Sequence, residues 1–426
     1  MCSRTGRIMV VCITLSIILQ TIPPAYSRSA DFYNLEIKQS AELGESVVNG
    51  NVIRDLQFYA GRIYIGYGDI ISNAGRVDAI YYDPNNNTIS SDAYDFDECA
   101  VFKYERLGSK LYAPGTESTV RRWDNQHPAL GNLYIRTDQG WSKSTPIVDV
   151  WHMYDVEEFG GDLYVATNYY SPCCAGQGTD SGDPLAPDIC VSGAIFKTSD
   201  EGLTWQQSYA IPRDYLTSTA CYAISSYNNK LYAFPSIRGG DYCLVYYDPE
   251  WRYENILNMD NIKGIAPIKC NDKLLLYVTI DGGQGQNPTK TLYAYDGTRA
   301  EQVNLTYHDG TTEIILSKEW FIIDYCIETK SIPPRESSKD DLYMLIGIRT
   351  TDGERLFIVE TKDLQHWNYY KVCDIYDGTA ITRPCAIEAS SRYLYIINNG
   401  GVIYEMRREA STQDGDDYFE QPTRSP

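Results

Sequence analysis

At 426 residues the chain is long enough for two or three ordinary domains or one large all-β domain. Its formal net charge of −20, with a pI of about 4.6, excludes nucleic acid and anionic membrane surfaces as partners, because both require a basic face. Four histidines without metal-ligand spacing, and the lack of any Cys-x-x-Cys pair, argue against a metal centre, and no cofactor is expected.

The chain opens on a targeting segment. Arg4 and Arg7 precede an apolar run from Ile8 to Leu19, and Ala25-Tyr26-Ser27 sets small residues where a signal peptidase reads. A signal peptide over 1–27 is predicted, giving a secreted or cell-surface chain with no membrane insertion once it is cleaved. Its removal takes Cys2 and Cys12 with it. The remaining cysteines then lie in an oxidising compartment, where disulfides are expected. Cys173, Cys174 and Cys190 bracket one loop, whereas Cys99, Cys221 and Cys385 fall near the starts of equivalent strands and are candidates for buried thiols.

Next comes a repeated unit: an alternating strand, a short polar turn, a strand built on Leu-Tyr or Ile-Tyr, a variable loop, and a third strand ending in an Asp turn. The repeat tyrosines are Tyr64, Tyr112, Tyr164, Tyr232, Tyr277, Tyr343 and Tyr395. Most of these intervals match the roughly 40 to 50 residues of a four-stranded propeller blade, with two longer ones carrying insertions. Ala60-Gly61, Gly160-Gly161, Asn228-Asn229 and Asn271-Asp272 are hairpin turns that make the first and second strands of a unit antiparallel neighbours. Asp83, Asp138, Asp200, Asp248, Asp296 and Asp363 stand at the third-strand turns, and the tyrosines, all in one register, are expected to pack between blades.

The pattern predicts an all-β fold: a single seven-bladed β-propeller of four-stranded antiparallel blades over residues 31–408. Tyr33 to Ile37 is expected to complete the last blade and so remove a free edge. Residues 409–426 are polar and acidic and read as a disordered tail.

One turn is better formed than the others. Thr198, Asp200, Gly202, Thr204 and Trp205, in the order Thr-x-Asp-x-Gly-x-Thr-Trp, resemble the Asp-box of sialidase-like β-propellers. An Asp there accepts backbone N–H groups and Gly supplies the positive φ. The resemblance implies a propeller and, for an enzyme of that family, three arginines clamping a carboxylated sugar. Arg54, Arg238 and Arg383 are the candidates, with Asp69 or Asp97 as the acid, although Arg54 is followed by Asp55 and not by the family's Ile-Pro.

Variable loops on a rigid scaffold usually carry binding. The starts of the innermost strands contribute Arg54, Asp97, His152 and Arg383, and the loops contribute Asp69, Arg238 and Asp281. Tyr169 and Tyr170, beside Cys173 and Cys174, serve either as a stacking platform for sugar rings or as struts of a stapled loop. The expectation is a monomeric propeller that binds a glycan or an extracellular protein through this face. The alternative is a sialidase-like glycoside hydrolase acting on acidic sugars.

Overall fold

The computed structural model describes residues 37–407, apart from 45–50, 70–74, 120–128, 172–189, 212–219, 237–243, 248–249, 258, 260–261, 271, 281–287, 309–312, 316–319, 329–339, 351–352, 375–383 and 391. The fold is an all-β propeller of four-stranded antiparallel blades. Val52–Tyr59, Arg62–Gly68, Asp78–Asp83 and Thr88–Asp95 pair consecutively. The next sheet runs through Glu105–Leu107, Lys110–Pro114, Leu133–Thr137 and Gly140–Lys143. Three sheets of the same order follow, starting at Val150–Phe159, Ala220–Tyr227 and Ile262–Cys270, and a fourth starts at Trp320–Glu328. Pro384–Ala389, Tyr393–Asn398 and Val402–Arg407 form the last sheet, completed by Ile37–Glu42 from the other end of the chain. The expected closure is thus made by the stretch beginning at Ile37, while Tyr33 to Glu36 lie outside the described residues.

The hairpins form because the turn residues accept positive φ. Ala60 and Gly61 sit at 51° and 79°, Asn228 and Asn229 at 50° and 57°, and Gly160 and Gly161 at 64° and 87°. Two successive residues of that kind match the twist of the flanking strands. The third-strand turns at Asp83, Asp296 and Asp363 close as their Asp residues dictate: Asp83 accepts the Asn85 N–H at 2.9 Å, Asp296 accepts those of Thr298 and Arg299, and Asp363 accepts those of Gln365 and His366. At Asp138, by contrast, the Thr137 hydroxyl accepts the Gln139 N–H, and Asp248 lies outside the described residues. At Thr198–Trp205, Asp200 accepts the Thr204 N–H at 2.9 Å and its hydroxyl at 2.6 Å, while the Gly202 N–H reaches the Thr198 hydroxyl at 3.0 Å. These bonds, the Thr198 hydroxyl first, hold the Asp200 pKa down at about 2. Trp205 donates from Nε1 to the Thr145 carbonyl at 2.8 Å, fixing the turn to the preceding blade.

The repeat tyrosines fill the wedges between blades, and all but the half-buried Tyr277 are buried. Tyr64 shows how the hydroxyl is satisfied. Asp92 accepts its O–H at 2.8 Å together with Trp141 Nε1 at 2.9 Å, Arg136 Nε at 3.1 Å and Arg62 Nη1 at 2.9 Å, so a buried polar end has a full set of partners. Cys221 and Cys385 are free thiols, and Cys99, Cys221, Cys270 and Cys326 are buried. Cys173 and Cys174, the pair expected in a stapled loop, lie outside the described residues.

The first strands of the sheets pack on one another in a ring about a central axis. They are also bonded through side chains. Asp55 accepts the Tyr104 N–H at 2.6 Å, Asp155 accepts that of Ile224 at 3.0 Å, and Asp324 accepts that of Ile387 at 2.8 Å. Glu157 accepts the Ser226 N–H at 3.0 Å, and Glu388 accepts that of Phe58 at 2.9 Å, which joins the last sheet to the first. Each bond spans the gap between neighbouring sheets that strand pairing leaves open.

Candidate functional site

One local irregularity builds the mouth of the central channel. In the strands that start with Val52, Ala220, Ile262, Trp320 and Pro384, the ladder skips Arg54, Tyr222, Lys263, Ile323 and Cys385, and in the strand that starts with Val150 it skips both Trp151 and Tyr154. A bulge leaves its extra residue outside the ladder and re-aims its side chain. Phe102 lies in the short link between Glu98–Val101 and Glu105–Leu107, and the Arg54 guanidinium is 5.5 Å from its ring centroid. The result is a collar of bulged residues carrying both aromatic and basic side chains.

Below the collar the channel is polar and mostly acidic. Lys103 pairs with Asp155 at 2.5 Å and Glu105 at 3.0 Å. Burial works against the Lys103 charge, but these carboxylates hold its pKa well above the usual range. Burial pushes Asp55 up to about 7 and Glu388 up to about 8, because neither the backbone N–H bonds they accept nor the nearby charges of Lys103 and Arg106 offset it.

On the side of the third and fourth sheets, which start at Val150 and Ala220, the collar widens into an aromatic shelf. Tyr154 and Tyr222 meet at 4.6 Å between centroids, His152 lies 5.5 Å from Tyr154, and Trp151 stacks on His152 at 5.1 Å and 12°. Tyr222 is 50 % exposed, so the shelf ends in an open ring face. Behind it stand two buried carboxyl groups. Glu117 accepts Trp151 Nε1 at 2.9 Å and faces His152 Nδ1 at 3.2 Å. Glu98 accepts Asn132 Nδ2 at 2.5 Å, and burial pushes its pKa up to about 8. A Cβ on Gly115 would displace that carboxyl group from its present place. Among the described residues, Glu98 Oε2 and Asn132 Oδ1 find no hydrogen-bond partner.

His152 is held in one tautomer. Its Nδ1 meets the Thr116 carbonyl and the Glu117 carboxylate, both acceptors, so that nitrogen carries the proton and Nε2 carries the lone pair. Burial lowers the pKa of the ring, which favours the neutral form. Asn168 links the shelf: its Oδ1 accepts the His152 backbone N–H at 2.7 Å and its Nδ2 donates to the Tyr154 hydroxyl at 3.4 Å.

Of the residues expected from sequence, Arg54 and His152 stand at this mouth. Asp97 is in an ion-pair network with Lys143 at 2.8 Å and Arg76 at 3.1 Å, and the Lys143 hydrogen bond leads the causes that hold its pKa below the usual range. Asp69 is buried, and its N–H bonds to the Cys99 carbonyl. Tyr169 packs edge-on against Phe196 at 5.7 Å, which makes it a strut of its blade and not a free platform, because its ring is spent on the core. Arg238, Asp281 and Arg383 lie outside the described residues, as does the side chain of Tyr170. Among the described residues, no group of three His, Cys, Asp or Glu side chains is placed to hold a metal ion.

Glu98, Glu117, Trp151, Tyr154, Asn168 and Tyr222 were not foreseen. A signal for two of them is present in the sequence. Met153 with Val156, and Cys221 with Ile224, place core residues three apart within a strand, where an unbroken strand places them two or four apart. That skipped step marks the bulge.

No protein-family model and no curated protein matches the chain. Solved structures that align with it include the α-L-arabinofuranosidase Arb93A of Fusarium graminearum, at 14 % identity and a TM-score of 0.42, over 72 % of this chain and 91 % of that one. A GH74 xyloglucanase of Xanthomonas campestris aligns at 11 % identity and 0.47, over 86 % and 53 %. Virginiamycin B lyase of Staphylococcus aureus aligns at 12 % identity and 0.45, over 88 % and 99 %.

Proposed function

We propose that the chain is a carbohydrate-binding propeller whose ligand sits at the channel mouth, on the shelf formed by Trp151, His152, Tyr154 and Tyr222. The observation that carries this reading is the half-exposed Tyr222 packed at a tilt against Tyr154, with polar acceptors fixed behind it. Sugar rings present apolar C–H faces and peripheral hydroxyl groups, and an aromatic face flanked by buried polar groups is complementary to both. The lone pair on His152 Nε2 is such a group.

Seven blades belong to the same reading, with Val52–Tyr59 to Thr88–Asp95 as one blade and the strands from Glu98 to Val148 as the next. So do export by residues 1–27, a propeller spanning 31–408 and an acidic tail over 409–426. The ion pairs of Asp97 and the packing of Tyr169 leave the shelf as the better-supported site on this face.

The test is a glycan array followed by calorimetric titration of the best oligosaccharide. Tyr222→Ala removes the open ring, and Tyr253→Ala removes a comparably exposed tyrosine on a peripheral strand. Loss of affinity in the first variant alone supports the reading. Equal loss in both, or no oligosaccharide bound, defeats it.

A further inference from the structure

We propose that the mouth is an esterase site as well as a binding site, with His152 as general base, acting on O-acylated carbohydrate. This rests on the carbohydrate reading above and adds a reaction to it.

Three features of the geometry carry the step. First, Thr116 and Glu117 pin Nδ1 of His152, so its proton stays on the far side of the ring. Second, Nε2 has no partner among the described residues, and the side chain keeps 15 % of its surface open to solvent. Third, Asn168 holds His152 and Tyr154 together, and because the Tyr154 oxygen accepts from Asn168 its own proton is free to be donated. A base oriented by a carboxylate, with a hydroxyl donor beside it, is the arrangement that acyl transfer to water requires.

The step balances without a cofactor. His152 Nε2 takes a proton from a water molecule as the water oxygen bonds to the ester carbonyl carbon. The carbonyl oxygen gains the charge and is stabilised by the Tyr154 O–H. As the carbonyl re-forms, the bond from its carbon to the sugar oxygen breaks, and that oxygen takes the proton back from Nε2. The products are a carboxylic acid and a free hydroxyl group. Glycosidic cleavage by two carboxyl groups fits less well, because Glu98 and Glu117 are 0 % and 2 % exposed and lie behind the shelf.

Glu117 and Asn168 are positioning residues in this scheme, and Glu117 and Tyr154 are the titratable groups that face the imidazole. Burial lowers the His152 pKa below its usual range, so the base is neutral at pH 7.

The experiment measures acetate release from a panel of O-acetylated oligosaccharides by the purified chain, alongside binding of the same oligosaccharides without acetyl groups. The expected result is turnover whose kcat/KM falls as the medium is acidified through the His152 pKa. His152→Ala should lose about a hundredfold or more in kcat, the usual contribution of general-base catalysis. Glu117→Gln should lower kcat with KM unchanged, and Tyr154→Phe should do likewise; a merely structural role would move neither pH profile nor kcat alone. Binding without acetate release overturns the proposal and leaves the carbohydrate reading standing, as does release that survives in His152→Ala. Formation of an unsaturated sugar from a polyuronate overturns ester hydrolysis in favour of elimination. Failure to bind any oligosaccharide defeats the underlying reading itself.

Discussion

The Asp55 carboxylate accepts the backbone N–H of Tyr104 at 2.6 Å, and so ties one inner strand to the next where strand pairing cannot reach. Asp155 with Ile224 and Asp324 with Ile387 repeat the relationship round the ring. In each case the carboxylate is the residue immediately after a bulge, so the irregularity that forms the collar also positions the bond between blades.

Removing such a bond leaves a buried N–H unpaired. Asp55→Ala and Asp324→Ala should each cost about 1–3 kcal/mol of stability, and Asp55→Asn, which keeps an acceptor, should cost less. Denaturant titration of the three variants checks the order. A smaller loss in Asp55→Ala than in Asp55→Asn would contradict it.

Stability should fall as pH rises. Burial pushes Asp55 and Glu157 up to about 7 and Glu98 and Glu388 up to about 8. A carboxyl group whose folded pKa is raised binds its proton more tightly in the folded chain, so its contribution is complete below the unfolded value of about 4 and is lost as pH climbs through 7 to 8. The denaturation midpoint should therefore be higher at pH 5 than at pH 8.5. Glu98→Gln and Glu388→Gln should each flatten the slope, and an unchanged slope in both would rule out these groups as its source.

Much of this architecture was legible in the chain. Positive-φ pairs such as Asn228-Asn229, Asp turns such as Asp296-Gly297, and tyrosines in a constant register all follow from local chemistry, and local chemistry is what a sequence displays. The site was less legible. His152 was found because it starts an inner strand, but its partner Glu117 lies on a strand paired with Glu98–Val101, and only the packing of neighbouring sheets brings the two within 3.2 Å. Tyr222 resembles any strand tyrosine until the skipped register turns it outward. Tyr169 left two readings open in the sequence, platform or strut, because only the fold shows that its ring packs edge-on against Phe196.

The seam where Arg62–Gly68 pairs with Glu98–Val101, within one sheet, depends on one glycine. Gly68 has φ of 149°, and a Cβ there would overlap the backbone of Ala100, with which it pairs across the seam. Gly68→Ala combines backbone strain with a clash against main chain, which cannot rotate away, and should destabilise by about 3 kcal/mol or more. Gly61→Ala, also at positive φ but in open space, should cost less. Thermal unfolding of the pair separates the two effects.

The aromatic shelf should carry measurable affinity. Deleting an exposed ring that stacks on a ligand typically costs about 0.5–1.5 kcal/mol, so Tyr222→Ala should weaken oligosaccharide binding by about three- to tenfold. Trp151→Ala should weaken it further, because it also releases Glu117 from Trp151 Nε1 and loosens His152. Calorimetric titration at one fixed pH reads both, and an unchanged affinity in Trp151→Ala would remove that ring from the site.

The most direct test of the central claim is hydrogen–deuterium exchange of the chain with and without its best-bound oligosaccharide. Binding at the channel mouth predicts protection of the backbone at 150–155 and 220–224, with the turn at 198–205 unaffected. Protection confined to that turn or to the peripheral strands, with 150–155 and 220–224 exchanging as before, would place the ligand elsewhere and contradict the account.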